Sequence, residues 1–154
     1  MRKQKFSSKS PMISDKDANI IGGYIQNQFN GNVTPEELLK SAKKKKSVIH
    51  KYFDWDDTSA ANKYRRSQAY RILNSIVVVV EDIPVKAFHN VFVKEERSNR
   101  FINVNEARKN NELWEQVVQQ ALDEIILWKE KYKDYVQLAP IVSAIEATEL
   151  TINN

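Results

Sequence analysis

The densest group of reactive side chains lies in the stretch HKYFDWDDTSAANKYRRSQAYRIL, residues 50–73, where Asp54, Asp56 and Asp57 surround Trp55 and precede Lys63, Arg65 and Arg66. Paired carboxylates can work as acid and base or hold a divalent cation. These three stand at the start of a helical segment, however, where carboxylates cap unpaired backbone N–H groups and meet the positive end of the helix dipole. A metal would need further oxygen ligands, to which the sequence does not point. His50 and His89 are the only histidines, on different segments and with no motif around either. A nucleophilic serine or threonine needs a positioned base, and no G-x-S-x-G is present. Three glycines, two of them adjacent, make no phosphate-cradling loop. Zero cysteines removes disulfides, thiolate chemistry and zinc sites of the Cys type. The chain therefore reads as non-enzymatic, with no catalytic residue, no metal and no cofactor.

Charge offers a different chemistry. Residues 1–51 hold eleven Lys/Arg against four Asp/Glu, a balance of +7, while residues 52–154 hold thirteen against sixteen, a balance of −3. The excess sits in MRKQKFSSKS and in Lys43, Lys44, Lys45 and Lys46. Such clusters attract polyanions by releasing condensed counterions. Further along, Lys63, Arg66 and Tyr70 project to one polar side of a helical segment, behind a shorter helix, as a helix-turn-helix-like reader would need. The connector is longer than the turn of that motif. The loop KEERSNR adds Arg97 and Arg100 beside two glutamates, a less favoured wing-like contact. The candidate nucleic-acid contacts are thus Lys43 to Lys46, Lys63, Arg66 and Tyr70, with DNA or RNA as partner. The same pattern also fits a solvated helix face and a basic end that serves only solubility.

These residues must be positioned by an α+β fold: a helical N-terminal half, a short antiparallel β meander and a long C-terminal helix. Residues 1–13 are polar and aperiodic and read as a disordered basic tail. Residues 14–154 read as a single domain, with a helical part over 14–76, the meander over 77–105 and C-terminal helices over 110–150. Ser14 with Asp17 forms a capping box, and Ile21, Tyr24, Ile25 and Phe29 share a face behind it. Gly22 and Gly23 interrupt that helix at about 1 kcal/mol each, which demands a close neighbour or leaves the helix weak. NGN ends it. Thr34, Pro35 and Glu37 form the next start signal, and the four lysines suit the negative end of that helix.

The third helix is capped by Asp56, Asp57 or Thr58 and runs over residues 60–76. Projection at about 100° per residue gathers Ala61, Tyr64, Ala69, Ile72, Leu73 and Ile76 on the apolar side. Arg65 and Gln68 fall inside that sector. A buried guanidinium needs a hydrogen-bonded anion, so Trp55, Asp56, Asp57, Tyr64, Arg65 and Gln68 are expected to form a structural lock. IVVVVE, VKAFHNVFV and FINVN then read as strands, with DIP as a turn. From residue 111 to residue 139 there is neither Gly nor Pro, and Trp114, Val118, Ala121, Ile125, Trp128, Tyr132, Tyr135 and Ala139 alternate at spacings of four and three. That is a heptad seam. Trp114, Val118, Ile125, Trp128 and Tyr132 are the candidate self-association residues, and a homo-oligomer is expected. Pro140 interrupts the helix, and IVSAIEATEL forms a short closing one. The longest apolar run, IVVVV, is too short to span a bilayer, and no signal-peptide core is legible, so a cytoplasmic protein without membrane contact is expected.

The segment SVIHKYFDWDDTSAANKYRRSQAYRILNSI, followed by VKAFHNVF, resembles a group of small uncharacterised proteins encoded by phages and prophages. The shared features are a TPEE helix start, a WDD followed by a Tyr-Arg and a Gln-Ala pair, a short β segment and a long C-terminal helix. The resemblance covers most of residues 34–145 and singles out His50, Phe53, Trp55, Asp56, Asp57, Ala61, Tyr64, Arg65, Gln68, Ala69 and Ile72. It implies a phage or mobile-element protein acting in the host cytoplasm, with a phage or host protein as a further partner, and carries no activity. The KKKK run stands where that group has a less basic linker. Two readings result: a nucleic-acid or nucleoprotein binder that self-associates through its C-terminal helix, and a protein-interaction or structural module, in the virion or in host takeover.

Overall fold

The computed structural model describes residues 4–11, 13–56 and 61–152, and the chain divides into two compact units, Met1–Leu113 and Trp114–Asn154. The class is α+β.

In the first unit, helix α1 (Asp15–Phe29) starts where Ser14 Oγ accepts from the Asp17 amide at 3.1 Å and donates to the Asp17 carboxylate at 2.8 Å. It ends on Asn30 and Gly31, both left-handed with φ of 52° and 72°. That sharp exit suits Asn and Gly, which tolerate positive φ. At Gly31 any Cβ would also lie 2.7 Å from that of Asn103. Helix α2 (Pro35–Ala42) carries a complete capping box: the Glu37 amide donates to Thr34 Oγ1 at 3.1 Å, and the Thr34 amide donates to Glu37 Oε2 at 2.9 Å. Helix α3 (Ala61–Ser75) runs directly into a strand, Ile76–Val80.

Among the described residues, six short strands make two antiparallel sheets. The strands are β1 (Phe6–Ser8), β2 (Asn32–Val33), β3 (Ile76–Val80), β4 (Ile83–Lys86), β5 (Phe88–Val93) and β6 (Ser98–Asn103). One sheet has the order β1-β3-β4 and the other β2-β6-β5. The expected three-strand meander is therefore two hairpins, each completed by a strand from the N-terminal half. A lone hairpin is marginal in water, and a third strand is what stabilises it. The β3–β4 turn falls at Glu81 and Asp82, both at positive φ, as a two-residue hairpin of right-handed twist requires. Ala87, fully buried, links the sheets: its amide donates to Ile76 O at 3.1 Å and its carbonyl accepts from Val104 N at 2.8 Å.

The expected disordered tail over residues 1–13 holds β1, with Phe6 opposite Val78. Phe6 is buried, stacks on Phe88 at 6.1 Å between centroids, and lies against Gly22 of α1. One apolar residue among polar ones sufficed, because Gly22 has no side chain in the way. Ile21, Ile25, Leu38, Ile49, Leu73, Ile76, Phe88 and Phe101 fill the core around it. A short helix, α4 (Val104–Ala107), follows β6.

Helix α5 (Asn111–Tyr132) passes into the second unit, where a turn over 133–135 and a 3-10 turn (Val136–Leu138) lead to α6 (Ala139–Ile152). The helix expected to run on to residue 139 stops at Tyr132. Pro140 opens α6 as its second residue, where a missing N–H costs nothing, and its ring forbids a helical carbonyl four residues earlier. The Lys129 ammonium binds the Glu149 carboxylate at 2.7 Å, and Tyr132 packs between Trp128 and Tyr135 at 5.2 and 5.8 Å. Val117, Leu122 and Ile145 are buried. Among the described residues no helix is long and apolar enough to cross a membrane.

Candidate nucleic-acid interface

Arg65 organises the segment that the sequence marked as chemically dense. Its residue is 4% exposed, with the guanidinium carbon 5.1 Å from the Trp55 ring centroid. Nε donates to the Asp54 carbonyl at 2.5 Å and Nη2 to the Asp56 carbonyl at 2.7 Å. The fork thus holds main-chain oxygens of the aspartate segment, a use of two donors in fixed geometry that an ammonium could not reproduce. Gln68 Oε1 accepts from the Asp54 amide at 3.4 Å. Tyr64 lies apart from this cluster, 47% exposed, with Arg71 over its ring at 5.5 Å. Asp57 and Thr58, two of the expected helix caps, lie outside the described residues.

The cluster continues to the end of α2. Trp55 Nε1 donates to the His50 carbonyl at 2.8 Å, and the two rings stack at 4.8 Å with 7° between planes. His50 Nδ1 in turn donates to the Ala42 carbonyl at 2.7 Å, which satisfies one of the last orphan acceptors of α2. Arg65, Trp55 and His50 therefore tie α3, the connector and the α2 terminus together. Between the tied points stand Lys43 to Lys46. The Lys43 amide donates to Leu39 O at 3.0 Å and Ser47 N to Lys44 O at 2.8 Å, which fixes the backbone of the turn.

All four lysines are exposed, and among the described residues none makes an ion pair. The acids nearest in sequence are occupied elsewhere. Glu36 binds Arg66 of α3, and Glu37 binds Arg100 Nη2 at 2.6 Å. One end of α2 is thus neutralised and the other carries uncompensated charge.

The outward face of α3 is exposed at Lys63, Arg66 and Tyr70, as its sequence suggests, and two of the three also have partners. Lys63 is exposed, but Arg66 is paired with Glu36, and Tyr70 packs edge-on against Phe101 at 5.6 Å. Arg100, one of the two arginines considered for a wing, is internal: its side chain is 12% exposed and binds Glu37 and Glu96, each at 2.6 Å, as well as Asn32. Glu96 is a neighbour four residues away, but Asn32 and Glu37 come from β2 and α2, 68 and 63 residues away, and no periodicity could have revealed them.

Two other titratable sites stand out. Burial, reinforced by Lys86 and Arg108, pushes His89 down to about 4, so it is neutral near pH 7. The Tyr52 hydroxyl donates to Asp17, and this with Ser14 and Lys51 holds that carboxyl below its usual range. Lys51 and Tyr52 border a concavity of about 260 Å³ with Gln68 and Arg71, but Lys51 is already paired with Asp17 at 3.4 Å. Among the described residues no three of His, Cys, Asp and Glu group so as to hold a metal ion.

On α5, the heptad positions Val118 and Ile125 are 40% and 44% exposed, while Trp114, Trp128 and Tyr132 are half-buried. Leu127, Val136 and Leu150 of the same unit are more exposed still. No family model, curated protein or solved structure matches the chain.

Proposed function

We propose that the protein is a non-enzymatic binder of nucleic acid, or of a nucleoprotein assembly, whose phosphate contact is the turn Lys43–Lys46. The observation that carries this reading is the contrast in pairing: Arg66, Arg100, Lys129 and Lys133 each have a carboxylate, and among the described residues the four consecutive lysines have none. Concentrated, exposed and backbone-fixed positive charge is what counterion release rewards. The Arg65–Trp55–His50 tie supports it by holding the turn in place without using the lysines. Lys63 is a secondary contact. The phage or mobile-element setting follows from the sequence resemblance alone. A gel shift at low ionic strength tests the proposal: DNA or RNA is retarded by the native chain, and replacement of Lys43 to Lys46 by Gln removes the shift.

A second reading, a protein-interaction module that self-associates, is favoured by the heptad positions Val118 and Ile125, seven residues apart on one face of α5 and 40% and 44% exposed. Self-association and polyanion binding are compatible.

A further inference from the structure

Gly22 and Gly23 stand side by side in α1, and packing explains only the first. A Cβ at Gly22 would overlap the Phe6 ring, whereas one at Gly23 would meet no atom within 4 Å. A glycine inside a helix costs about 1 kcal/mol against alanine, and nothing among the described residues requires that cost at residue 23. Gly23 instead lines a concavity of about 420 Å³, a volume in the range of small-molecule sites.

The lining is chemically unusual for this protein. Charged residues make up 29% of the chain, yet among the described residues none lines this concavity, where the amides of Gln4, Asn19, Gln26 and Asn27 alternate with apolar side chains. Gln26 Oε1 is buried toward Gly31 without a hydrogen-bond partner among the described residues, and Gln4 exchanges two amide hydrogen bonds with Asn103 at 3.5 and 3.1 Å, so the open amide groups are those of Asn19 and Asn27. Asn19 Oδ1 accepts from the Phe6 amide at 3.2 Å, which leaves its NH₂ to donate, and Asn27 is exposed. A carboxamide offers a donor and an acceptor side by side, the pattern that matches the edge of a nucleobase. Val48, 52% exposed, completes the rim. It follows Lys46 by two residues, at most about 7 Å of chain, and the Tyr24 hydroxyl bonds that of Ser41 in the last turn of α2. The concavity therefore opens beside the unpaired lysines.

We infer that this concavity receives an unpaired nucleobase of the strand whose phosphates the lysine turn holds. The inference rests on the polyanion reading of Lys43 to Lys46 and adds to it a preference for single strands, because only an unstacked base can enter a pocket and present its edge. A neutral heterocycle fits a neutral amide lining, and the open face at Gly23 leaves room for its ring.

The test is fluorescence anisotropy with labelled deoxy and ribo oligonucleotides about a dozen nucleotides long and the corresponding DNA duplex. Gly23→Leu fills the concavity and raises helix propensity. Asn27→Ala removes one amide from an exposed position, so at least one variant keeps the fold. Each is expected to weaken single-strand binding about tenfold, the lower part of the range for one stacked base, in both sugar series. Duplex binding and the salt dependence should not change. Single-strand affinity equal to the native chain in both variants overturns the inference, and if the Gln-for-Lys variant loses binding in the same experiment, the polyanion reading survives alone. A loss confined to one sugar series overturns the base assignment in favour of the sugar, and a native chain that binds no strand at low salt overturns both readings.

Discussion

Replacing each of the two adjacent glycines of α1 by alanine should move stability in opposite directions. Gly23→Ala gains about 1 kcal/mol from helix propensity, because its added carbon meets open space. Gly22→Ala gains the same amount but drives the methyl into the Phe6 ring, within 2.6 Å of both δ carbons. That ring cannot retreat freely: it stacks on Phe88 within 5° of parallel, and its strand is pinned by the pairing of Phe6 with Val78 and by Asn19. Overpacking a constrained core costs about 1–3 kcal/mol, so Gly22→Ala should lose about 2 kcal/mol, taking the upper end for a ring held on three sides. The two variants then differ by about 3 kcal/mol. Urea denaturation followed by circular dichroism measures the difference. A cycle with Phe6→Ala isolates its cause: in that background Gly22→Ala should turn stabilising by about 1 kcal/mol. If both alanines stabilise equally in the native background, Phe6 does not lie on α1 and β1 is not a seated strand.

Other consequences are as specific. Arg65→Met should cost about 2–4 kcal/mol, because the Asp54 and Asp56 carbonyls lose their donors; Arg65→Lys should recover little of it, and urea midpoints compare the three. His89, held at about 4 against an ordinary 6.5, stays neutral in the folded chain while the unfolded chain takes up a proton. Stability should therefore be fully present above pH 6.5 and fall as pH drops toward 4. The loss is on the order of 1 kcal/mol after screening at this half-buried site, and His89→Gln should flatten that part of the profile in thermal melts. Ile125→Glu should abolish concentration-dependent self-association in light scattering with an unchanged dichroism spectrum, whereas a native chain that stays monomeric at every concentration contradicts the heptad reading.

Local chemistry was legible in the sequence wherever it acts over one helical turn. Thr34 and Glu37 form a complete box within four residues, and at Ser14 the hydroxyl half of one, so the sequence pattern located both helix starts even though the Asp17 carboxylate takes the Ser14 hydroxyl and not its amide. Helical projection put Arg65 on the buried side of α3 because the period of a helix is fixed by its backbone. Pairings between distant segments were not legible. β1 and β2 are three and two residues long, too short for any alternation, and exist only through partners far along the chain. Glu96 announces one contact of Arg100 locally, but the rest of its network depends on the turn at Asn30 and Gly31 delivering Asn32 and Glu37 to β6, which no feature around Arg100 shows. At the C-terminal end, the heptad pattern continued through Tyr135 to Ala139 while the backbone broke after Tyr132, since periodicity records which side chains could share a face and not where the hydrogen-bond ladder ends. Within the candidate interface, the exposure of the lysines was readable, but the pairing of Arg66 with Glu36 and the packing of Tyr70 on Phe101 required α2 and β6 to be in place.

The most direct test of the central claim is the salt dependence of binding to a single-stranded oligonucleotide, measured for the native chain and for the variant with Gln at positions 43, 44, 45 and 46. Each neutralised phosphate contributes a slope of about 0.7 to log affinity against log salt on a single strand, so four contacts account for about 3. The slope of the variant should be shallower by that amount, with the fold unchanged. Equal slopes for the two proteins would mean that the lysine turn does not touch the phosphates, and would contradict the account.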